Sequence, residues 1–142
     1  MSSATKTSCQ TAKLTFIVGL PGSGKSKYAA KTFGGAVIID DANRIPEATK
    51  LIEQTLLAGK DCIVIDPLLC YPHVKQTALN WLKEHKLTAQ WLFFSNEPQA
   101  CLNNIRRRQA TGDDRKVIGF ISEATKAYVP PVDAKIIPVY KP

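Results

Sequence analysis

The residues best suited to chemistry are Gly19-Leu20-Pro21-Gly22-Ser23-Gly24-Lys25-Ser26, directly after the apolar run Leu14 to Val18. Their spacing matches G-x-x-x-x-G-K-[ST], the Walker A phosphate loop. Each position has a physical reason. Glycines let the backbone wrap so that successive N–H groups face one anion, and the helix that follows adds its positive N-terminus. Lys25 can reach the outer phosphates as a mobile point charge, and the Ser26 hydroxyl can ligate magnesium. Gly22, Ser23, Gly24, Lys25, Ser26 and Lys27 are thus expected to hold ATP with Mg2+, Lys25 also serving transfer.

Further candidates follow the later apolar runs. AVIID ends in Asp40, and the chain continues Asp41-Ala42-Asn43-Arg44. A carboxylate beside a phosphate loop can take the proton of an attacking hydroxyl, and an arginine three residues on can grip an acceptor's phosphate. An acidic helix cap with a surface arginine reads the same way. Asp66 ends CIVID, where an acidic residue can hold magnesium directly or through water, or can be a turn carboxylate before Pro67. Residues Asn104 to Lys116 carry five basic and two acidic side chains. Arg107 and Arg115 are the leading candidates to close on a transferring phosphate, with Arg106 and Arg108 behind them as substrate contacts. Consecutive helical residues point about 100° apart, so not all of them can face one site. The others would form a solvated basic face.

The elements that must position these groups alternate. Strands are expected at 14–18, 36–40, 62–66, 89–94 and 135–139, and helices at 25–32, 46–58, from Pro72 through Leu82, 98–108 and 116–128. Such alternation implies βαβ crossovers and a parallel sheet covered on both faces, with ligands beyond the carboxyl ends of the strands. Pro138 marks the last strand as an edge or a strand end. Trp81, Trp91, Phe93 and Phe94 fall on apolar faces and are expected in the core.

The 142 residues suit one domain, 14–142, after a loose polar tail, 1–13, that lacks the apolar segment of a signal peptide. No apolar run approaches the roughly 20 residues of a membrane span. Four scattered cysteines, with no CxxC, read as reduced thiols of a cytoplasmic protein. The formal net charge of +7 points to an acidic partner, such as nucleic acid or a nucleotide.

GLPGSGKS, the D-x-x-R from Asp41 to Arg44, Asp66 and the late CLNNIRRR together resemble the small P-loop kinases. Within them the chain looks most like the 5′-kinase domain of bacteriophage and bacterial polynucleotide kinases, over about Leu14 to Tyr128. The resemblance implies a parallel sheet of order 2-3-1-4-5 and transfer of the γ-phosphate of ATP to a 5′-hydroxyl of DNA or RNA. Lys25 and Ser26 would handle phosphate and magnesium, and Asp41 would be the base. Arg44 would hold the 3′-side phosphate, and the arginines of 106–115 would form a lid spanning about 104–116. Two departures stand out: Asp40 adjoins Asp41 and can replace it as base, and the short segment between strands two and three leaves little room for a polymer acceptor. A kinase of nucleosides, nucleotides, sugars or antibiotics and a non-transferring NTP switch are the alternatives.

Overall fold

A strand that is apolar on both faces belongs in the middle of a covered sheet, and β1 (Leu14–Val18) is buried along its whole length. The computed structural model describes residues 12–40, 45–108 and 115–142. In it β1 pairs in parallel with β3 (Cys62–Ile65) on one side and β4 (Gln90–Phe94) on the other. Leu14 lies opposite Cys62, and Val18 lies opposite Phe93. β2 (Val37–Asp40) flanks β3, and β5 (Ile136–Ile137) flanks β4, giving five parallel strands in the order 2-3-1-4-5. The α/β class and the strand order both match expectation.

Alternate β1 residues feed two cores. Leu14, Phe16 and Val18 pack with Ile52, Trp81, Leu82, Cys101, Ile105 and Ile121. These come from four helices: α2 (Ile45–Leu57), α3 (Pro72–Glu84), α4 (Pro98–Arg108) and α5 (Arg115–Ala127). Ile17 faces the other way, with Ile63, Ile65, Leu92, Phe94 and Ala29 of α1 (Lys25–Thr32). The aromatic residues are core residues as expected: Phe16 stacks on Trp91 with ring centroids 4.6 Å apart, and Trp81, Phe93 and Phe94 are buried.

The differences from the sequence reading are local. β3 stops at Ile65 because Asp66 caps a short 3-10 turn over Pro67–Cys70, accepting the Leu68 N–H at 2.9 Å. β5 is two residues long, since Pro138 has no N–H to continue a ladder. The chain is already fixed before β1: Ala12 is buried, and the Lys13 N–H donates to Asp61 Oδ1 at 2.8 Å. Residues 1–11, Cys9 among them, lie outside the described residues. Cys62, Cys70 and Cys101 are free thiols. Burial pushes Cys62 and Cys101 up to about 11 and Cys70 up to about 12, which keeps them protonated and unreactive. No helix among the described residues is long and apolar enough to cross a membrane.

Tyr128, just past α5, closes the gap between the carboxyl ends of β1 and β4. Its hydroxyl donates to the Phe94 carbonyl and lies 3.4 Å from the Val18 carbonyl. Asn96 secures the same corner, its Nδ2 donating to the carbonyls of Thr125 and Tyr128 at 3.1 and 3.0 Å. Tyr128→Phe leaves the buried Phe94 carbonyl without this donor and should cost about 1–3 kcal/mol in urea unfolding. An unchanged midpoint would show that the bond contributes nothing.

Candidate active site

The phosphate loop spans the carboxyl end of β1 and the first turn of α1. Gly22 and Gly24 have φ of +85° and +98°, a left-handed backbone that residues with a Cβ seldom adopt. Space adds a second constraint. A Cβ on Gly22 would stand 2.5 Å from the Cys101 carbonyl oxygen of α4, and one on Gly24 would stand 2.8 Å from Tyr140 Cβ. The loop is thus pressed between α4 and the segment that follows β5.

Gly24 is the N-cap of α1 and supplies no side-chain cap. The N–H groups of the first helical turn have no intrahelical acceptor by construction, and the residues that carry them line a cavity of about 580 Å³. That volume lies within the usual range for a small-molecule site. Lys25 is buried inside the loop, its Nζ donating to the Gly19 and Leu20 carbonyls at 2.8 and 2.9 Å, with Ser23 Oγ at 3.5 Å. Ser26 and Lys27 line the same cavity. A helix N-terminus that begins at Gly24, two left-handed glycines and a buried lysine form a site suited to a polyphosphate anion.

The remaining expected residues divide. Arg107 lines the cavity, and its Nη1 donates to Asn104 Oδ1 at 3.2 Å. Arg106, the next residue on the helix, is exposed and is not among the cavity's lining residues, as the turn geometry requires. Arg115 opens α5 and is exposed. Asp66 is buried at the tip of β3 between two lining residues, Ile65 and Pro67, and one of its oxygens is committed to the 3-10 turn. Asp41 and Arg44 lie outside the described residues, as do the side chains of Asp40 and Arg108.

Three site residues escape the sequence reading. Asn104 donates through Nδ2 to the Gly22 carbonyl at 2.9 Å and the Tyr140 carbonyl at 2.6 Å, so it ties α4 to the loop and to the segment after β5. Tyr140 and Pro142 line the cavity. The rule that ligands lie beyond the strand ends applies to β5 as to the others, and the stretch after Ile137 is where it points. Glu97 anchors that stretch. It accepts from Ser95 Oγ and the Val139 N–H, and it pairs with Lys141 at 2.8 Å. These partners, Lys141 first and then Ser95, lower the Glu97 pKa from 4.5 to about 2.

No family model matches the sequence, and no curated protein does so at a significant level. Solved structures match in fold. A gluconokinase from Sinorhizobium meliloti 1021 superposes with a TM-score of 0.56 at 12% identity, over 92% of this chain and 84% of that one. A sugar kinase from Janibacter sp. HTCC2649 superposes with a TM-score of 0.62 at 14% identity, over 90% of this chain and 84% of its own. The chain therefore has the fold of the P-loop kinases. The likeness to polynucleotide kinases in particular rests on the sequence motifs alone.

Two outcomes are expected. Gly22→Ala should destabilise the fold by about 1–3 kcal/mol in chemical denaturation, since the new methyl meets backbone and the φ is unfavourable; wild-type stability would mean that α4 can withdraw. A carboxylate with a lowered folded pKa stabilises above its unfolded pKa and loses that contribution as pH falls. The stability difference between the wild type and Glu97→Gln should thus be flat above about 4.5 and shrink toward about 2. A difference that grows on acidification would contradict the pairing.

Proposed function

We propose that the chain is an ATP- and Mg2+-dependent phosphotransferase that phosphorylates a hydroxyl of a small polar acceptor of the sugar or sugar-acid kind. The observation that carries the reading is the buried Lys25, held by the Gly19 and Leu20 carbonyls at the uncapped start of α1 and beside a cavity. A bound ATP would supply a transferable γ-phosphoryl group. Residues Gly22 to Lys27 would cradle its phosphates, and Ser26 and Asp66 would serve its magnesium. Arg107, which already lines the cavity, would neutralise charge on the transferring group. Arg115 is the second candidate for that role, and Asp41, with Asp40 as its substitute, would take the acceptor's proton.

A small acceptor is favoured by two observations. Between β2 and β3 the described chain has the single helix α2, which leaves little structure to enclose a polymer. The two fold neighbours named above are described as a gluconokinase and a sugar kinase. Transfer to a 5′-hydroxyl of DNA or RNA is the second reading, with Arg44, Arg106 and Arg108 as backbone contacts. It is favoured by the +7 net charge and by Arg106 exposed next to the cavity residue Arg107.

The deciding assay is labelled ATP with a panel of sugars, sugar acids, nucleosides and 5′-hydroxyl oligonucleotides. Label on a sugar or sugar acid supports the first reading and label on an oligonucleotide the second. Label in inorganic phosphate alone would sink both and leave a nucleotide-driven switch. Lys25→Ala should reduce transfer at least a hundredfold, an effect of about 2.7 kcal/mol on the barrier; near-wild-type turnover would refute the kinase assignment.

A further inference from the structure

The segment after β5 is built into the nucleotide cavity by more contacts than a passing chain needs. The Tyr140 N–H donates to the Ser23 carbonyl at 3.0 Å, so this segment bonds the phosphate loop backbone to backbone. Asn104 holds the Tyr140 carbonyl from the other side at 2.6 Å. Glu97 grips the two flanking residues, Val139 through its N–H at 3.3 Å and Lys141 through its ammonium at 2.8 Å. Between those two grips the Tyr140 ring stands under Lys27, whose Nζ lies 4.2 Å from the ring centroid. Lys27 is the residue after Ser26 in the first turn of α1, and both it and Tyr140 line the cavity.

The contacts form one chain of cause. Lysine is a flexible point charge that loses rotamer freedom when it is fixed. A cation over an aromatic face is held at modest cost to its hydration. A ring can hold a cation in one place only if the ring itself is held, and the backbone on both sides of Tyr140 is tethered to Glu97. We propose that Glu97 is a positioning residue for nucleotide binding: it latches Val139 and Lys141 so that Tyr140 stands across the phosphate loop and keeps Lys27 at the cavity as a second fixed cation for the nucleotide's phosphates. This rests on the reading of the cavity as an ATP site and adds a role for residues outside the loop motif. Glu97 touches no substrate. Its effect passes through Tyr140 to Lys27.

The test is equilibrium binding of a fluorescent ATP analogue with magnesium to the full chain, together with thermal melting of every variant. Glu97→Ala should weaken binding about three- to tenfold, in keeping with the loss of a fixed cation and a charge-assisted latch. Lys141→Ala, at an exposed position, removes the latch's main partner and should do the same; it carries the test if Glu97→Ala does not fold. Tyr140→Leu, which removes the ring, should match Glu97→Ala. In a Lys27→Ala background, Glu97→Ala should change affinity less than about twofold, because its route is already cut. Wild-type affinity in Glu97→Ala and Lys141→Ala would overturn the proposal. So would an undiminished loss in the Lys27→Ala background, which would mark Glu97 as a general structural anchor. If the wild-type chain itself fails to bind the analogue, the ATP-site reading falls first and this inference with it.

Discussion

The left-handed turn of the phosphate loop at Gly22 and Gly24 is the constraint on which the rest of the structure depends. It lets α1 begin without a side-chain cap and sets the residues of the first helical turn along the cavity. It also brings the loop so close to α4 and to Tyr140 that a methyl group would collide at either glycine. The same contact assembles the site. Asn104 of α4, the carbonyl of Gly22 and the carbonyl of Tyr140 meet in two hydrogen bonds, and Arg107 joins them one helical turn on. A looser loop would leave α4 and the segment after β5 with nothing to converge on.

The sheet exists to hold that turn in place. β1 is the central strand, hydrogen-bonded on both sides and buried throughout, so its carboxyl end is held by both neighbouring strands. Tyr128 fills the space where β1 and β4 end, and Asn96 fixes the end of α5 to the same corner. Rigid support under such a loop is what the proposed phosphoryl transfer would ask of the chain, because that reaction depends on positioning and charge rather than on covalent chemistry by the protein.

Much of this was legible in the residue order. LTFIV, CIVI and WLFF announce buried strands through largely apolar runs, and the glycine spacing of residues 19–26 announces a tight loop between strand and helix. The bounds of α1 and α4 follow from the residues themselves. What stayed hidden is set by contacts far apart in the chain. Asp66 reads either as a metal ligand at a strand tip or as a turn carboxylate before Pro67, and only the fold shows that one of its oxygens caps the 3-10 turn over Pro67–Cys70. Asn104 reads as one polar residue among many on a helix, and its partners lie 82 and 36 residues away. Tyr140 follows the shortest strand, which Pro138 cuts off, and no local pattern says that its ring meets Lys27. The arginine cluster was legible as charge, while the helix geometry decides that Arg107 rather than Arg106 reaches the cavity.

The central claim is that residues 19–27 cradle the phosphates of a magnesium-bound nucleoside triphosphate. A crystal structure grown with a non-hydrolysable ATP analogue and Mg2+ tests it most directly. The account predicts the triphosphate at the start of α1, within hydrogen-bond distance of the backbone N–H groups of Gly24, Lys25 and Ser26, with the Lys25 ammonium on the outer phosphates. Density for the analogue elsewhere on the molecule, with the loop making no contact to it, would contradict the account.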